Sequence, residues 1–171
     1  DLIIGAPFTS PGAVSFAGTS YVLLGQASSA AVVSLATLNE SQGYRLNGSG
    51  TSERSGYSVA HAGDVNGDGY ADLIVGSTTW ANPTTGEGAA WLYLGSPTGV
   101  TNTVFIRYEL DISGGNMGES VSSAGDVNGD GYSDILVGLK LENRVAIYHG
   151  GAYNIRATPS LTRYSGVSGF Q

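Results

Sequence analysis

Oxygen-bearing side chains stand at positions 1, 3, 5 and 9 of Asp64-Val65-Asn66-Gly67-Asp68-Gly69-Tyr70-Ala71-Asp72, and the same pattern returns 62 residues later in Asp126-Val127-Asn128-Gly129-Asp130-Gly131-Tyr132-Ser133-Asp134. This is the first half of the alternation by which a short loop wraps its side chains around a hard cation. Asp64, Asn66, Asp68 and Asp72 would supply side-chain oxygens and Tyr70 its backbone carbonyl. The second loop would use Asp126, Asn128, Asp130 and Asp134 with the carbonyl of Tyr132. Gly69 and Gly131, at position 6, permit the turn that brings position 7 round to the ion. Three carboxylates in one short loop repel one another unless a cation sits among them. The expected cofactor is calcium, one ion in each loop, because an irregular loop suits a larger ion with flexible coordination.

An EF-hand would place a bidentate Glu at position 12 and then a helix, but Val75 and Val137 stand there, inside Leu73-Ile74-Val75 and Ile135-Leu136-Val137. A dockerin-like module opens on a similar acidic loop and also continues into a helix. Neither continuation fits these apolar runs. Each loop is therefore expected to join two strands, with fewer protein ligands than an EF-hand. An ordinary Asx-rich turn would use the same residue types, but two copies in register favour the ion-binding reading.

The loops must be held by something, and the surrounding repeat shows what. Gly56-Tyr57-Ser58-Val59 with Ala62-Gly63 matches Gly118-Glu119-Ser120-Val121 with Ala124-Gly125 at the same offset. Trp91-Leu92-Tyr93-Leu94-Gly95 corresponds to Ala146-Ile147-Tyr148-His149-Gly150, with Tyr21-Val22-Leu23-Leu24-Gly25 as a third version. The opening Asp1-Leu2-Ile3-Ile4-Gly5 aligns with the Asp72 and Asp134 segments. Each repeat reads as four short strands, about 57–63, 72–76, 89–94 and 104–110 in the second, separated by turn signals such as Asn82-Pro83 and Ser96-Pro97-Thr98-Gly99. The second strand is an apolar run, as for a strand buried on both faces; the third and fourth show a looser alternation.

Four-stranded antiparallel units repeated in this way define an all-β fold of propeller blades. The expected division is a partial blade at 1–45, blades at 46–115 and 116–168, and the start of another at 169–171, where Gly169-Phe170-Gln171 resembles Gly56-Tyr57-Ser58. About three blades of a larger propeller are expected, since closed propellers use four to eight. The exposed ends would be covered by further blades of a longer parent chain or by neighbouring subunits.

The combination of Gly-x-Ser-Val, Ala-Gly-Asp-Val-Asn-Gly-Asp-Gly, Asp-Leu-Ile-Val-Gly and, at the start, Gly5-Ala6-Pro7 resembles the FG-GAP repeat of integrin α-subunit propellers and their bacterial relatives. The resemblance implies a blade with a calcium loop between its first and second strands, with the ligands already named. Asp1 matches the last ligand of a further loop. Gly76-Ser77-Thr78, Gly138-Leu139-Lys140 and Gly56-Tyr57 depart from the usual Gly-Ala-Pro and Phe-Gly.

Composition bounds the remaining possibilities. The net charge is −7, with seven Lys and Arg scattered along 171 residues, which cannot make the basic stripe that nucleic acid needs. Half of the 14 acidic residues lie at the loop positions or, for Asp1, at the equivalent of one. No apolar run reaches membrane-spanning length, and cysteine is absent, which removes disulfides and thiolate metal sites. His61 and His149 have Ser123 and Leu94 as their repeat equivalents, and no nucleophile motif accompanies them. Glu53 with Arg54 reads as a solvated turn. Aromatic residues such as Trp80, Trp91, Tyr44, Tyr57, Tyr93, Tyr108 and Tyr148 read as packing between blades. Asn39 and Asn47 head glycosylation sequons.

The expected function is a non-enzymatic calcium-binding module, extracellular or at the cell surface, for adhesion, recognition or surface architecture, with a protein or glycan ligand. The alternative is an accessory or substrate-binding propeller part of a secreted hydrolase or lyase.

Overall fold

The computed structural model describes residues 1–25, 33–152 and 155–164, with the backbone alone for 161–164. The expected blade start at 169–171 lies outside the described residues. Three antiparallel sheets follow one another, each with its strands side by side in chain order. The first holds β1 (Leu2–Ala6), β2 (Thr19–Leu23) and β3 (Gly43–Asn47). The second holds β4 (Ser55–Gly63), β5 (Asp72–Ser77), β6 (Ala89–Tyr93) and β7 (Ile106–Tyr108). The third holds β8 (Met117–Gly125), β9 (Asp134–Leu139), β10 (Arg144–Tyr148) and β11 (Leu161–Tyr164). Single 3₁₀ turns at Leu35–Thr37 and Lys140–Glu142 are the only helical segments among the described residues.

The first sheet reaches past the expected boundary at 45, because β3 stays paired with β2 as far as Asn47 opposite Thr19. The connection to the second sheet is 48–54. The outer strand β7 is shorter than the expected 104–110: only Ile106–Tyr108 pair with β6, while Val104 and Phe105 are exposed.

The sequence repeat is also a repeat of backbone irregularities. The β4–β5 ladder is interrupted between Ser55 and Ser58 and again between His61 and Gly63; the β8–β9 ladder is interrupted between Met117 and Ser120 and between Ser123 and Gly125. A bulge re-aims the strand that carries it, so both inner strands leave their sheets in the same direction. They deliver Asp64 and Asp126 to equivalent places.

The blades stack face to face, and the middle one is buried on both sides. Ile74 of β5 with Ala90 and Leu92 of β6 joins Ile135, Val137, Leu139, Ala146 and Tyr148 of the third sheet in one apolar cluster. Leu73 and Val75 of β5 with Ala89, Trp91 and Tyr93 of β6 point the other way, against Val22 and Leu46 of the first sheet. Neighbouring side chains of a strand face opposite sides, so each core takes alternate residues. All six residues of β5 and all five of β6 are buried. The looser alternation expected of the third strand is thus overturned for β6: a blade between two others has no solvated face. Burying a side chain such as Ile74 or Leu92 contributes about 1.5–3 kcal/mol.

The aromatic residues lie mostly between blades, as expected, but Tyr57 is 42% exposed. Trp80 meets Trp91 edge-on with ring centroids 5.0 Å apart, and the guanidinium of Arg107 lies over both rings. Tyr108 and Tyr148 are fully buried with ring centroids 4.2 Å apart, and neither hydroxyl has a hydrogen-bond partner among the described residues. Burial pushes both phenols well above the ordinary tyrosine range. Burial, reinforced by the charge of Glu53, pushes Tyr93 up to about 12.

In the unfolded chain a tyrosine ionises near pH 10, roughly. Above that pH the unfolded state sheds protons that the folded state keeps, so stability falls as pH rises. Phenolate absorbance should therefore show these three tyrosines ionising together, in one step coincident with loss of the β-sheet circular dichroism. Tyr108→Phe should shift that step to higher pH without loss of stability at neutral pH, since the hydroxyl it removes is buried and unpartnered.

Candidate metal centre

Each acidic loop begins where its inner strand ends and finishes at the first residue of a buried strand. Gly69 and Gly131 take positive φ, 89° and 92°, at the position where the turn was expected. Asp64 then acts as the hub of the first loop. Its Oδ1 accepts the N–H of Gly67 at 2.7 Å and of Asp68 at 3.0 Å, and its Oδ2 accepts the N–H of Gly69 at 2.8 Å. Asp126 does the same for Gly129, Asp130 and Gly131, at 2.7, 3.0 and 2.8 Å. These donors, that of Gly131 foremost, hold the Asp126 carboxyl below the usual carboxylate range.

The next two positions are linked to each other. The amide of Asn66 donates to Asp68 at 2.8 Å, Asp68 N–H donates back to Asn66 at 3.0 Å, and Tyr70 N–H donates to Asp68 at 2.9 Å. Asn128, Asp130 and Tyr132 repeat all three bonds at 2.9, 3.0 and 3.0 Å.

Position 9 has a different environment. Asp72 and Asp134 are fully buried. One oxygen of Asp72 accepts Val65 N–H at the start of its own loop and the other accepts Gly95 N–H beyond β6, both at 2.8 Å. Asp134 accepts Val127 and Gly150 N–H at 2.8 and 2.9 Å. Asp1, expected to match this position, accepts Gly25 N–H at 2.7 Å in the first sheet. The position-9 carboxylate therefore ties the loop to the end of the third strand. Burial raises Asp72 above the usual carboxylate range, the Gly95 and Val65 N–H groups oppose the rise, and the charges of Asp68 and Asp64 add to it.

All ten expected positions thus lie in two congruent loops, but the carboxylates turn first to the loop's own N–H groups. Among the described residues no three His, Cys, Asp or Glu side chains stand together as a ready metal cluster. The donor set still fits a hard cation: it is all oxygen, and each carboxylate keeps at least one oxygen with a lone pair to spare, although Asp64 Oδ1 and Asp126 Oδ1 already accept two N–H groups each. The two loops also touch, with the Tyr132 ring against Gly67, and Gly151, beyond β10, donates its N–H to the Val65 carbonyl at 2.8 Å.

Two acidic residues were not foreseen in their actual role. Glu53, expected in a solvated turn, is 3% exposed. Its Oε2 accepts Ser49 and Gly50 N–H at 2.8 and 2.7 Å, closing the connection between the first and second sheets. Arg54 points elsewhere, over the ring of Phe8. Glu87 is also buried and accepts Asn82 N–H at 2.6 Å. Their signal in the sequence was slight: each is an acidic residue beside small turn residues that leave N–H groups to satisfy. His61 and His149 lie on different blades, and neither imidazole has a hydrogen-bond partner among the described residues.

Sheets stacked face to face, with congruent acidic loops leading into the second strands of two of them, define a β-propeller blade protein. The FG-GAP repeat family matches residues 55–93 and 117–152, the inner three strands of the two blades with complete loops. The chain is also 34% identical over 117 residues to integrin alpha-6 of Homo sapiens, a match covering 67% of this chain and 10% of that protein. The chain is an FG-GAP repeat protein resembling integrin α-subunits.

Replacing Asp72 by Ala leaves two buried N–H groups, of Val65 and Gly95, without an acceptor. Each such orphan costs about 1–3 kcal/mol, so Asp72→Ala should lower unfolding stability by about 2–5 kcal/mol even in calcium-free buffer. Asp68→Ala, whose partners are exposed, should cost far less under the same conditions. Urea unfolding of the two variants checks the ranking.

Proposed function

We propose that this chain is a calcium-binding, non-enzymatic propeller module that works outside the cell in adhesion, recognition or surface architecture. The observation that carries the reading is the congruence of the two loops: the same donors at the same positions, with equivalent hydrogen bonds agreeing to 0.1 Å. A calcium ion would be held by Asp64, Asn66, Asp68, the Tyr70 carbonyl and Asp72 in one blade. Asp126, Asn128, Asp130, the Tyr132 carbonyl and Asp134 would hold it in the other. Its contribution is charge: it relieves the mutual repulsion of three carboxylates, one of them buried. The likeness to integrin alpha-6 supports an extracellular setting. Further blades or a neighbouring subunit, and a protein or glycan ligand, complete the proposal.

Calorimetric titration of the chelated protein should give two calcium ions per chain, with magnesium much weaker. Asp68→Ala and Asp130→Ala should each remove one. A ligand at about 100 times its Kd adds about 2.7 kcal/mol, which for a chain of this size raises the Tm by roughly 5–10 °C per filled site. Saturation at fewer than two ions, or a Tm indifferent to chelation, would sink the reading.

A further inference from the structure

The two acidic loops are congruent in themselves but not in what lies against them. Val65, at position 2 of the first loop, is fully buried in the apolar cluster that holds Ile135 and Tyr148, whereas its counterpart Val127 is 53% exposed. A methyl group placed on Gly67 would stand 2.5 Å from the Tyr132 ring, while one placed on its counterpart Gly129 would meet nothing within 4 Å. The contact between the loops therefore runs through Gly67 and does not involve Gly129.

Behind that ring contact, the buried carboxylates at position 9 of the two loops are joined through three residues. Val65 donates its N–H to Asp72 at 2.8 Å, and its carbonyl accepts the N–H of Gly151 at 2.8 Å. Gly150, next to Gly151, donates to Asp134 at 2.9 Å. The approach is close: a methyl group on Gly150 would sit 2.6 Å from the Val65 carbonyl oxygen and 2.9 Å from the Cβ of Tyr132. Whatever fixes Asp72 fixes Val65, and through Val65 the backbone that holds Asp134. The ring carries the same restraint to Tyr132, whose carbonyl is an expected ligand of the second loop.

We infer that the two loops form one ordering unit, so that a calcium ion bound in either raises the affinity of the other. The inference rests on the calcium reading above and adds the regulation of those sites. Binding an ion costs the ordering of its loop, and a neighbour that is already ordered has less freedom left to lose. The charge of the first ion opposes this by repelling the second. That repulsion is screened by salt, whereas the hydrogen bonds and the ring contact are not. The coupling is reciprocal and acts by the same factor in both directions. The protein then passes from empty to doubly filled over a narrower range of calcium concentration than two independent sites would give.

Calorimetric titration with calcium at roughly 0.15 M salt compares the wild-type chain with Asp68→Ala and Asp130→Ala, each of which keeps one site. Each variant should bind its single ion about fivefold or more weakly than the wild-type chain binds its second. Gly67→Ala and Gly129→Ala separate the contact from backbone strain: both place a side chain at φ 76°, and only the first displaces Tyr132. In calcium-free protein, Gly67→Ala should speed hydrogen exchange of the Gly131 and Tyr132 N–H groups in the other loop. Gly129→Ala should leave the exchange of Gly67, Asp68 and Gly69 in the first loop unchanged. Two ions bound with independent constants, or exchange in the second loop indifferent to Gly67→Ala, would overturn this inference and leave the calcium reading standing. Fewer than two ions bound by the wild-type chain would overturn both.

Discussion

A buried carboxylate shared between two connections is the constraint on which the second and third blades depend. Asp72 holds Val65 at the beginning of the acidic loop and Gly95 after the third strand, and Asp134 holds Val127 and Gly150. These are separate pieces of backbone that strand pairing alone would leave to drift. The arrangement sets two demands against each other. Two N–H donors favour the charged form, while burial and the neighbouring charges of Asp64 and Asp68 oppose it. A divalent ion would ease that conflict without displacing either donor, because each oxygen of Asp72 has a further lone pair to offer. Structural tie and ion ligand are therefore compatible roles for one side chain.

What the sequence made legible was whatever one repeat decides by itself. The loops, their turn glycines, the buried strand behind them and the repeat's phase all depend on neighbours within a few residues of each other. Their spacing survives as a local pattern, and Asp1 could even be assigned to its place from five residues. What stayed hidden depends on contacts across blades or between connections. The complete burial of β6 follows from the first and third sheets lying on its two faces; the unbroken apolar run Ala89-Ala90-Trp91-Leu92-Tyr93 is consistent with it but was read as part of a looser alternation. Glu53 was misjudged for the same reason: the N–H groups it satisfies come from a turn whose fold is set by the two sheets it joins.

The second loop does more than repeat the first. Tyr132 lays its ring on Gly67 and is half-buried, while Tyr70, its counterpart, is 40% exposed. The carbonyl expected to face the ion at position 7 thus belongs, in the second loop, to a residue whose side chain rests on the first. Ordering one loop restricts its neighbour, because a shift of Gly67 removes the surface against which Tyr132 packs. This ring contact sets the two acidic loops side by side, bringing together six of the 14 acidic residues.

The junction between blades divides its chemistry evenly between two repeats, and this bears on how such chains lengthen. Gly76 belongs to one unit and Gly118 to the next, and a methyl group on Gly76 would sit 2.0 Å from the Gly118 carbonyl oxygen, so a unit that keeps its own pair of glycines can stand beside any other that does. Duplication or loss of a whole unit preserves every junction, because each new neighbour presents the same bare α-carbon and the same carbonyl. An insertion of a few residues inside a strand shifts the phase between the two glycines and breaks the junctions on both sides. Gene-level change in such an array is consequently channelled into whole-unit steps and into the connections, where surface loops can diverge while the stacking rule stays constant.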